Sequence, residues 1–259
     1  MILAIDIGNS TIGCGVFNHD ELLATWHVTL SDTKKPDADY SAALSRELAR
    51  ARIGLDQIRG AILCSVVPAL TTLIGKVTEN AIRIPPHVVT TLMDAGLTLK
   101  YTNPPELGVD RFVTAARAYD LYHCDVIVVD FGTATTFSVV NQQGTYLGGA
   151  IAPGIGLSAD ALANKTAQLP RADLVPPSSA IGRDTVSGIQ SGIIFGHAAS
   201  VDGMITRFQA ELGRTAKVIG TGGYASTIVP YSHAIHEVRP YLALEGLAWL
   251  YRRLELKEK

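Results

Sequence analysis

The sequence predicts an α/β protein made of two related halves. A short motif, an acid followed by a glycine turn, occurs twice in the sequence. The first copy is Asp6-Ile7-Gly8-Asn9-Ser10-Thr11, and a similar copy, Asp130-Phe131-Gly132-Thr133-Ala134-Thr135-Thr136, begins 124 residues later. The apolar runs 1–5 and 126–129 before these turns are typical of buried β-strands. In both halves, strand patterns are followed by helical patterns, which is the order expected of an α/β protein.

Apolar residues resume after each turn, at 14–17 and 137–140, so each segment is expected to form a β-hairpin. Such a hairpin exposes backbone N–H groups and small polar side chains in a concave surface that suits phosphate. Two copies predict two related half-molecules that face one another across a cleft. A third glycine turn, Gly220-Thr221-Gly222-Gly223, follows the apolar run 216–219 and suits close approach of a nucleotide.

The first half is predicted to contain further strands and helices. The expected elements are a strand at 21–30, a helix at 39–52, a strand at 61–67, a helix at 68–81 and a short strand at 88–90. The first helix is indicated by apolar residues at helical spacing, among them Tyr40, Leu44 and Leu48. The second is indicated by Pro68 at its first position. A further helix, begun at 103–105, is expected to join the halves.

The second half is expected to begin with three strands, between residues 125 and about 152, and to continue with helices. The longest helix is predicted at 184–212, although it contains Gly188, Gly192, Gly196 and Gly203. These glycines lie four, four and seven residues apart and share one face, which indicates close packing against another helix. A final helix is expected at 242–254, and the predicted domains are 1–118 and 119–259.

The composition argues against several classes of function. Hydrophobic residues make up 47% and charged residues 18% of the 259 residues, and the formal net charge is −2. No basic cluster indicates nucleic-acid binding, and no apolar run approaches the ~18–20 residues of a membrane span. The three cysteines are far apart, which favours buried reduced thiols over a disulfide framework or a metal site. Without a signal-peptide pattern, we expect a cytoplasmic protein.

A set of short motifs runs in order through almost the whole chain. The motifs are Asp6-x-Gly8-Asn9-Ser10, Ser65-Val66-Val67-Pro68, Tyr101-x-Asn103-Pro104, Leu107-Gly108-Val109-Asp110-Arg111, the segment from Asp130 to Thr136, Gly148-Gly149-Ala150-Ile151-x-Pro153-Gly154, Ile181-Gly182-Arg183-Asp184-Thr185, Thr221-Gly222-Gly223 and Leu244-Glu245-Gly246-Leu247. Together they resemble the type III pantothenate kinases of the actin/hexokinase-like superfamily. The resemblance implies two ribonuclease-H-like domains, each a mixed sheet with helices, flanking a nucleotide cleft. It also implies a homodimer that phosphorylates pantothenate with ATP, the first step of coenzyme A biosynthesis.

The resemblance assigns roles to the residues that match the family's motifs. The phosphate-loop segment that binds ATP would comprise Asp6, Ile7, Gly8, Asn9, Ser10, Thr11, Ile12 and Gly13, with Thr133 as a further ATP contact. The pantothenate contacts would be Tyr101, Gly108, Val109, Asp110, Arg111 and Thr185, with Asp110 as the proton acceptor. ATP would carry Mg²⁺, and Asp130 would bind a monovalent cation, K⁺ or NH₄⁺. Thr11, Gly13 and Asp184 differ from the residues common in the family.

Asp110 suits phosphoryl transfer to an alcohol, which needs alignment, charge neutralisation and an acceptor for the hydroxyl proton. The predicted helix start places Asp110 where amide dipoles favour an anion. The adjacent Arg111 could hold a carboxylate in bidentate fashion. The structural alternative for Asp110 is an acid at a helix start that pairs with Arg111, and for Asp6 and Asp130 it is an acid that caps a turn.

Other functions stay open from the residues alone. A sugar kinase or polyphosphate hydrolase of the same superfamily would share the Asp6 and Asp130 hairpins but would not need Asp110. A non-catalytic relative, such as a transcription accessory factor, would not need all three acids, Asp6, Asp110 and Asp130, together. Tyr101 could be an ordinary partly buried aromatic residue, and Thr185 an ordinary first-turn hydroxyl of the long helix.

Overall fold

A computed structural model describes residues 1–30 and 35–257. Its strands are β1 (Ile2–Ile7), β2 (Thr11–Asn18), β3 (Glu21–Thr29), β4 (Gly60–Ser65), β5 (His87–Val88), β6 (Thr98–Leu99), β7 (Val126–Phe131), β8 (Ala134–Val140), β9 (Thr145–Pro153), β10 (Lys217–Thr221) and β11 (Glu237–Val238). Its α-helices are α1 (Pro36–Arg50), α2 (Pro68–Ile82), α3 (Val109–Tyr122), α4 (Ile155–Lys165), α5 (Thr185–Leu212), α6 (Ala225–Ile228) and α7 (Leu242–Lys257). Across the described residues, none of these helices has both the length and the apolar character of a membrane span.

The chain forms two compact units. Unit 1 comprises the described residues of segments 1–97, 102–117 and 242–259, and unit 2 comprises 98–101 and 118–241. The structure therefore differs from the predicted domain 119–259 in placing α7 in unit 1, where it packs on β1 and β4. Sequence order favours the opposite assignment, because α7 follows the strands of unit 2 along the chain.

Unit 1 contains a five-stranded mixed sheet in the order β3-β2-β1-β4-β5. The strands β1, β2 and β3 form an antiparallel meander, whereas β4 runs parallel to both β1 and β5. Parallel neighbours need crossover connections, and α1 and α2 provide them. Leu3, Ile5 and Ile7 point from β1 into a core with α1 and α2. The alternate residues of β1, including Asp6, point to the other face.

Unit 2 repeats this arrangement with one additional strand. Its sheet has the order β11-β10-β7-β8-β9-β6, in which β7, β8 and β9 form the meander and β10 is the parallel neighbour of β7. Even a register irregularity recurs, between Val16 and Phe17 in unit 1 and between Val139 and Val140 in unit 2. The second core lies between this sheet and helices that include α4, α5 and α6.

The two mixed sheets with flanking helices confirm the predicted α/β fold class. The helix predicted to begin at 103–105 begins instead at Val109, after a short 3₁₀ turn at Pro104–Glu106. A residue that precedes proline avoids the α-helical region, so the consecutive Pro104 and Pro105 delay the helix. The first helix begins at Pro36, earlier than predicted, because proline suits the first helical position.

Candidate active site

The first hairpin places Asp6 next to the end of β1 and leaves its turn exposed. Gly8 N–H donates to the Thr11 carbonyl at 2.9 Å, which closes the turn around Asn9 and Ser10. Asn9, Ser10 and Thr11 are exposed, whereas Ile7 and Ile12 are buried on the core side. The predicted phosphate segment therefore combines a fixed hydrophobic base with an exposed polar turn, which is the form expected of a phosphate-binding loop.

Three elements of unit 1 surround the Asp6 carboxylate. In the sheet register Asp6 lies opposite Gly13 on β2 and opposite Cys64 on β4. Cys64 Sγ donates to Asp6 Oδ1 at 3.2 Å. Burial raises the pKa of Asp6 to about 6, the hydrogen bond from Cys64 lowers it, and the negative charge of Asp110 raises it. Asp6 and Asp110, which are 104 positions apart in the sequence, therefore interact electrostatically in the fold.

Asp110 lies in the first turn of α3. Its Oδ1 atom accepts a hydrogen bond from the Arg111 backbone N–H at 2.8 Å. Burial raises the pKa of Asp110 above its ordinary value, while the Arg111 amide and guanidinium charge oppose that rise. A Cβ atom at Gly108 would lie 2.5 Å from Asp110 Oδ1, so the close approach of the carboxylate to the turn requires glycine there. Arg111 itself is buried.

The second hairpin places Asp130 at the same position in unit 2. Asp130 lies opposite Thr136 on β8 and opposite Thr221 on β10. The backbone of Gly222, at a φ of +92°, comes so close to Asp130 Oδ1 that a Cβ atom at Gly222 would overlap it. Gly132 N–H donates to the Ala134 carbonyl at 3.1 Å and closes the turn. The predicted third glycine turn thus approaches the second acid.

The turn after Asp130 brings two backbone carbonyl oxygens close to Gly154. Gly154 N–H donates to the Thr133 carbonyl at 3.2 Å. The carbonyl oxygens of Gly132 and Thr133 both lie 2.5 Å from the position of a Cβ atom at Gly154, so only glycine fits beside them. Carboxylate and carbonyl oxygens are the ligands that hard cations prefer. Within the described residues, no cluster of three or more His, Cys, Asp or Glu side chains could hold a metal ion.

Thr185 begins α5, directly after the N-cap residue Asp184, whose side chain accepts from Ser187 N–H at 2.9 Å. Asp184 is exposed, and its pKa is lowered by these hydrogen bonds with Ser187. An open groove of about 840 Å³ runs between α4 and α5. It is lined by Thr185, by Ser158, Leu162, Lys165, Thr166 and His197, and by the glycines at 188, 192 and 196.

The glycine face of α5 is not covered by another helix in the described part of this chain. A Cβ atom at Gly188, Gly192, Gly196 or Gly203 would meet no heavy atom within 4 Å. The predicted close packing against another helix therefore does not occur within the described residues. His197, on the same helix, contacts the second hairpin: its Nε2 atom lies 2.9 Å from Thr135 Oγ1, and burial lowers its pKa.

The predicted site residues fall into both units. Unit 1 contains the phosphate segment and the residues from Gly108 to Arg111, and it brings Asp6 and Asp110 into interaction. Unit 2 contains Tyr101, Asp130, Thr133 and Thr185. Asp130 lies against Gly222, and Thr185 begins α5. The ring of Tyr101 packs edge-on against Tyr146, with 6.0 Å between the ring centroids.

Sequence reasoning missed two contacts of the acids. Cys64 was expected only to be a buried thiol, yet it donates to Asp6. The available signal was its place near the end of a strand, which in a parallel pair puts it beside Asp6. Gly222 was expected near a nucleotide, yet its nearest neighbour is Asp130. Only the parallel pairing of β7 with β10 reveals that contact.

Comparisons with known proteins identify relatives along nearly the whole chain. Residues 2–207 match the family model of type III pantothenate kinases. A type III pantothenate kinase from Geotalea uraniireducens (strain Rf4) is 42% identical over 253 residues, which covers 98% of each chain. One from Moorella thermoacetica is 44% identical over 254 residues, covering 98% of this chain and 99% of the relative.

Solved structures with low sequence identity share the fold. Component A of (R)-2-hydroxyglutaryl-CoA dehydratase from Acidaminococcus fermentans has a TM-score of 0.58 at 17% identity, covering 96% of each chain. A ROK family glucokinase from Streptomyces griseus has a TM-score of 0.50 at 15% identity, covering 97% of this chain and 99% of its own. At these identities the likeness concerns the fold alone.

Proposed function

The chain belongs to the type III pantothenate kinase family, and we propose that it transfers the γ-phosphoryl group of ATP to pantothenate, with Asp110 as the general base. The product would be 4'-phosphopantothenate, in the first step of coenzyme A biosynthesis. Because the reaction consumes ATP, we place it in the cytoplasm.

The observation that carries the proposed mechanism is the electrostatic interaction of Asp110 with the buried Asp6 carboxylate. Family membership supports an ATP-binding hairpin at Asp6, and the electrostatic interaction between the two carboxylates puts Asp110 close to that hairpin. A base is more effective when its pKa lies nearer the working pH, and burial moves the pKa of Asp110 in that direction. Asp110 would accept the hydroxyl proton of pantothenate, while Arg111 and Gly108 hold the carboxylate in place.

Phosphate recognition is proposed for the turn of the first hairpin, from Asp6 to Gly13, with Thr133 as a further ATP contact. The exposed amide and hydroxyl groups of that turn would bind phosphate oxygens, and Mg²⁺ would accompany ATP as in other phosphoryl transfers. Asp130 and the carbonyls of its turn would hold K⁺ or NH₄⁺. This cation would offset the repulsion between the carboxylate and the triphosphate.

Pantothenate contacts are proposed for Tyr101, Val109 and Thr185 in addition to Gly108, Asp110 and Arg111. Thr185 lies at a groove whose lining mixes hydroxyl, apolar and cationic side chains. Such a lining suits an acid that carries amide, hydroxyl and methyl groups.

The exposed glycine face of α5 supports a homodimer in which two such helices pack closely. Light scattering should give twice the mass of one chain, and a monomer at all concentrations would contradict the dimer.

A substrate panel tests the proposed function against its rivals. Purified protein is incubated with Mg-ATP and K⁺ together with pantothenate, hexoses or glycerol, and ADP release is measured against a no-acceptor control. We expect turnover with pantothenate only. Turnover with a hexose would identify a sugar kinase, and equal ADP release in every sample would identify a hydrolase. ATP binding without any turnover would identify a non-catalytic relative.

A further inference from the structure

Cys64 lies beside Asp6, at the end of the unit 1 sheet where the turn of the first hairpin begins. The parallel pairing of β4 with β1 sets Cys64 directly opposite Asp6, and residues paired in this way point to the same face of a sheet. The side chain of Cys64 is fully buried. Its Sγ atom lies 3.2 Å from Asp6 Oδ1, within hydrogen-bonding distance for sulfur. The strand register therefore brings the Cys64 thiol to the Asp6 carboxylate.

The direction of this hydrogen bond is fixed by chemistry. Burial and the nearby Asp6 carboxylate both raise the pKa of Cys64 well above its ordinary value, so the group remains a thiol. A thiol can donate, and an ionised carboxylate can only accept. Cys64 is the one side chain that donates to the Asp6 carboxylate among the hydrogen bonds of the described residues. The opposite neighbour in the register, Gly13, has no side chain to offer.

The electrostatic surroundings of Asp6 make this donor important. The titratable groups that face Asp6 are Cys64 on β4 and Asp110 on α3, while Cys14 on β2 belongs to the core on the other face of the sheet. Asp110 repels the Asp6 carboxylate, and burial disfavours its charge. Without the thiol, no side chain between residues 1–30 or 35–257 would donate to the carboxylate, counter either effect or restrict its rotation.

We propose that Cys64 is a positioning residue for ATP binding, whose thiol donates to Asp6 Oδ1 and holds the ionised carboxylate in one orientation beneath the phosphate turn. This inference rests on the proposed ATP-binding role of Asp6. It concerns ATP and not the acceptor alcohol, because Cys64 donates its hydrogen bond to Asp6, whereas Asp110 acts on the thiol only through its charge. Loss of the donor weakens ATP binding and leaves the KM for pantothenate unchanged.

The test compares variants that separate hydrogen bonding from packing. Cys64→Ser keeps a donor, and Cys64→Val fills the volume without one. Cys14→Val is the matched control, because Cys14 is an equally buried thiol on the opposite face of the same sheet. ATP affinity is measured by calorimetry without pantothenate, and kcat and KM are measured for each substrate across pH.

We expect Cys64→Val to weaken ATP binding about tenfold, the range of a hydrogen bond to a charged group. In a plot of kcat/KM for ATP against pH, the fall on the acid side should move to higher pH in Cys64→Val. The reason is that the hydrogen bond from Cys64 lowers the pKa of Asp6. Cys64→Ser should restore most of the affinity, and Cys14→Val should retain all of it. ATP affinity within twofold of wild type for Cys64→Val would overturn the proposal, as would an equal loss in Cys64→Ser.

A spectroscopic measurement keeps the proposal testable if Cys64→Val does not fold. The infrared S–H stretching band of Cys64, identified by its loss in Cys64→Ser, should lie at lower frequency than a thiol without a charged acceptor. It should rise in Asp6→Ala. A Cys64 band that is the same in wild type and in Asp6→Ala would overturn the proposal. Because neither calorimetry nor infrared absorption requires turnover, failure of the pantothenate assay would be a separate result.

Discussion

Asp6 in unit 1 and Asp130 in unit 2 occupy the same position in two sheets that share the order of five strands. Each lies one residue before the end of the first strand of an antiparallel meander, and each has a parallel neighbour on its other side. Their immediate surroundings differ. Asp6 accepts from the Cys64 thiol, whereas Asp130 lies against the backbone of Gly222.

The turns after the two acids differ as well. Three residues separate β1 from β2, while two separate β7 from β8. The longer first turn presents exposed Asn9 and Ser10, and the shorter second turn packs its carbonyls against Gly154. One turn therefore offers donors that suit phosphate, and the other offers acceptors that suit a cation. The repeated scaffold thus fixes where each acid lies, while its neighbours decide what the acid can bind.

The largest loss of stability is expected for Gly222→Ala, which tests whether the backbone approach to Asp130 needs glycine. A Cβ atom there would overlap Asp130 Oδ1 and lie 2.7 Å from the Phe131 backbone, at a φ of +92°. We expect a loss of about 3 kcal/mol or more in the free energy of unfolding. Gly223→Ala is the control, because a Cβ atom at Gly223 meets nothing within 4 Å. Equal denaturation midpoints for the two variants would contradict the description of this turn.

The pH dependence of stability tests the surroundings of Asp6. Its pKa rises from 3.8 to about 6 on folding, so the folded state retains a proton that the unfolded state releases in this interval. The free energy of unfolding should therefore fall as pH rises from 4 to 6, by about 2–3 kcal/mol from this group. Asp6→Asn should remove that decline and be more stable than wild type at pH 8. Parallel stability curves for the two proteins would refute it.

The cation response should separate the two acids. Asp130→Asn is expected to lose activation by K⁺ and to raise the KM for ATP about 10–100-fold. The attraction between K⁺ and one phosphate charge, at ~5 Å and an effective dielectric of ~20, is worth roughly 3 kcal/mol, or about 150-fold. Loss of the repulsion between Asp130 and the triphosphate offsets part of this. Asp6→Asn should retain the dependence of its residual rate on K⁺. Rates are measured at constant ionic strength and saturating Mg²⁺. Full activation of Asp130→Asn by K⁺ would assign the cation to another place.

The smallest effect is expected for Gly13→Ala, at the residue that flanks Asp6 opposite Cys64. A Cβ atom there would have its nearest neighbour, the Asp6 carbonyl oxygen, at 3.9 Å. Alanine should therefore fit, and the free energy of unfolding should rise by about 0.5–1 kcal/mol because glycine in a strand costs more conformational entropy. A destabilised Gly13→Ala protein in urea denaturation would show that this side of Asp6 is less open than described.

The spacing of apolar residues, together with glycine and proline at turns and helix starts, made most strands and helices predictable. The hairpins at Asp6 and Asp130 and the long helix begun after Asp184 follow from local signals. The placement of α7 in unit 1 does not, because it rests on contacts with the distant strands β1 and β4. One of these is the close approach of Tyr251 to Gly60, where a side chain would overlap the ring. Contacts between distant strands, such as Cys64 with Asp6, require the sheet order and not only the existence of the strands.

The turnover of Asp110→Asn with pantothenate tests whether Asp110 is the general base. We expect kcat to fall ~10²–10⁴-fold, with ATP affinity and thermal stability close to wild type. Glu106→Gln, which changes an exposed acid in the same segment, serves as the control and should keep its rate. A folded Asp110→Asn protein that turns over within about threefold of wild type would contradict the assignment.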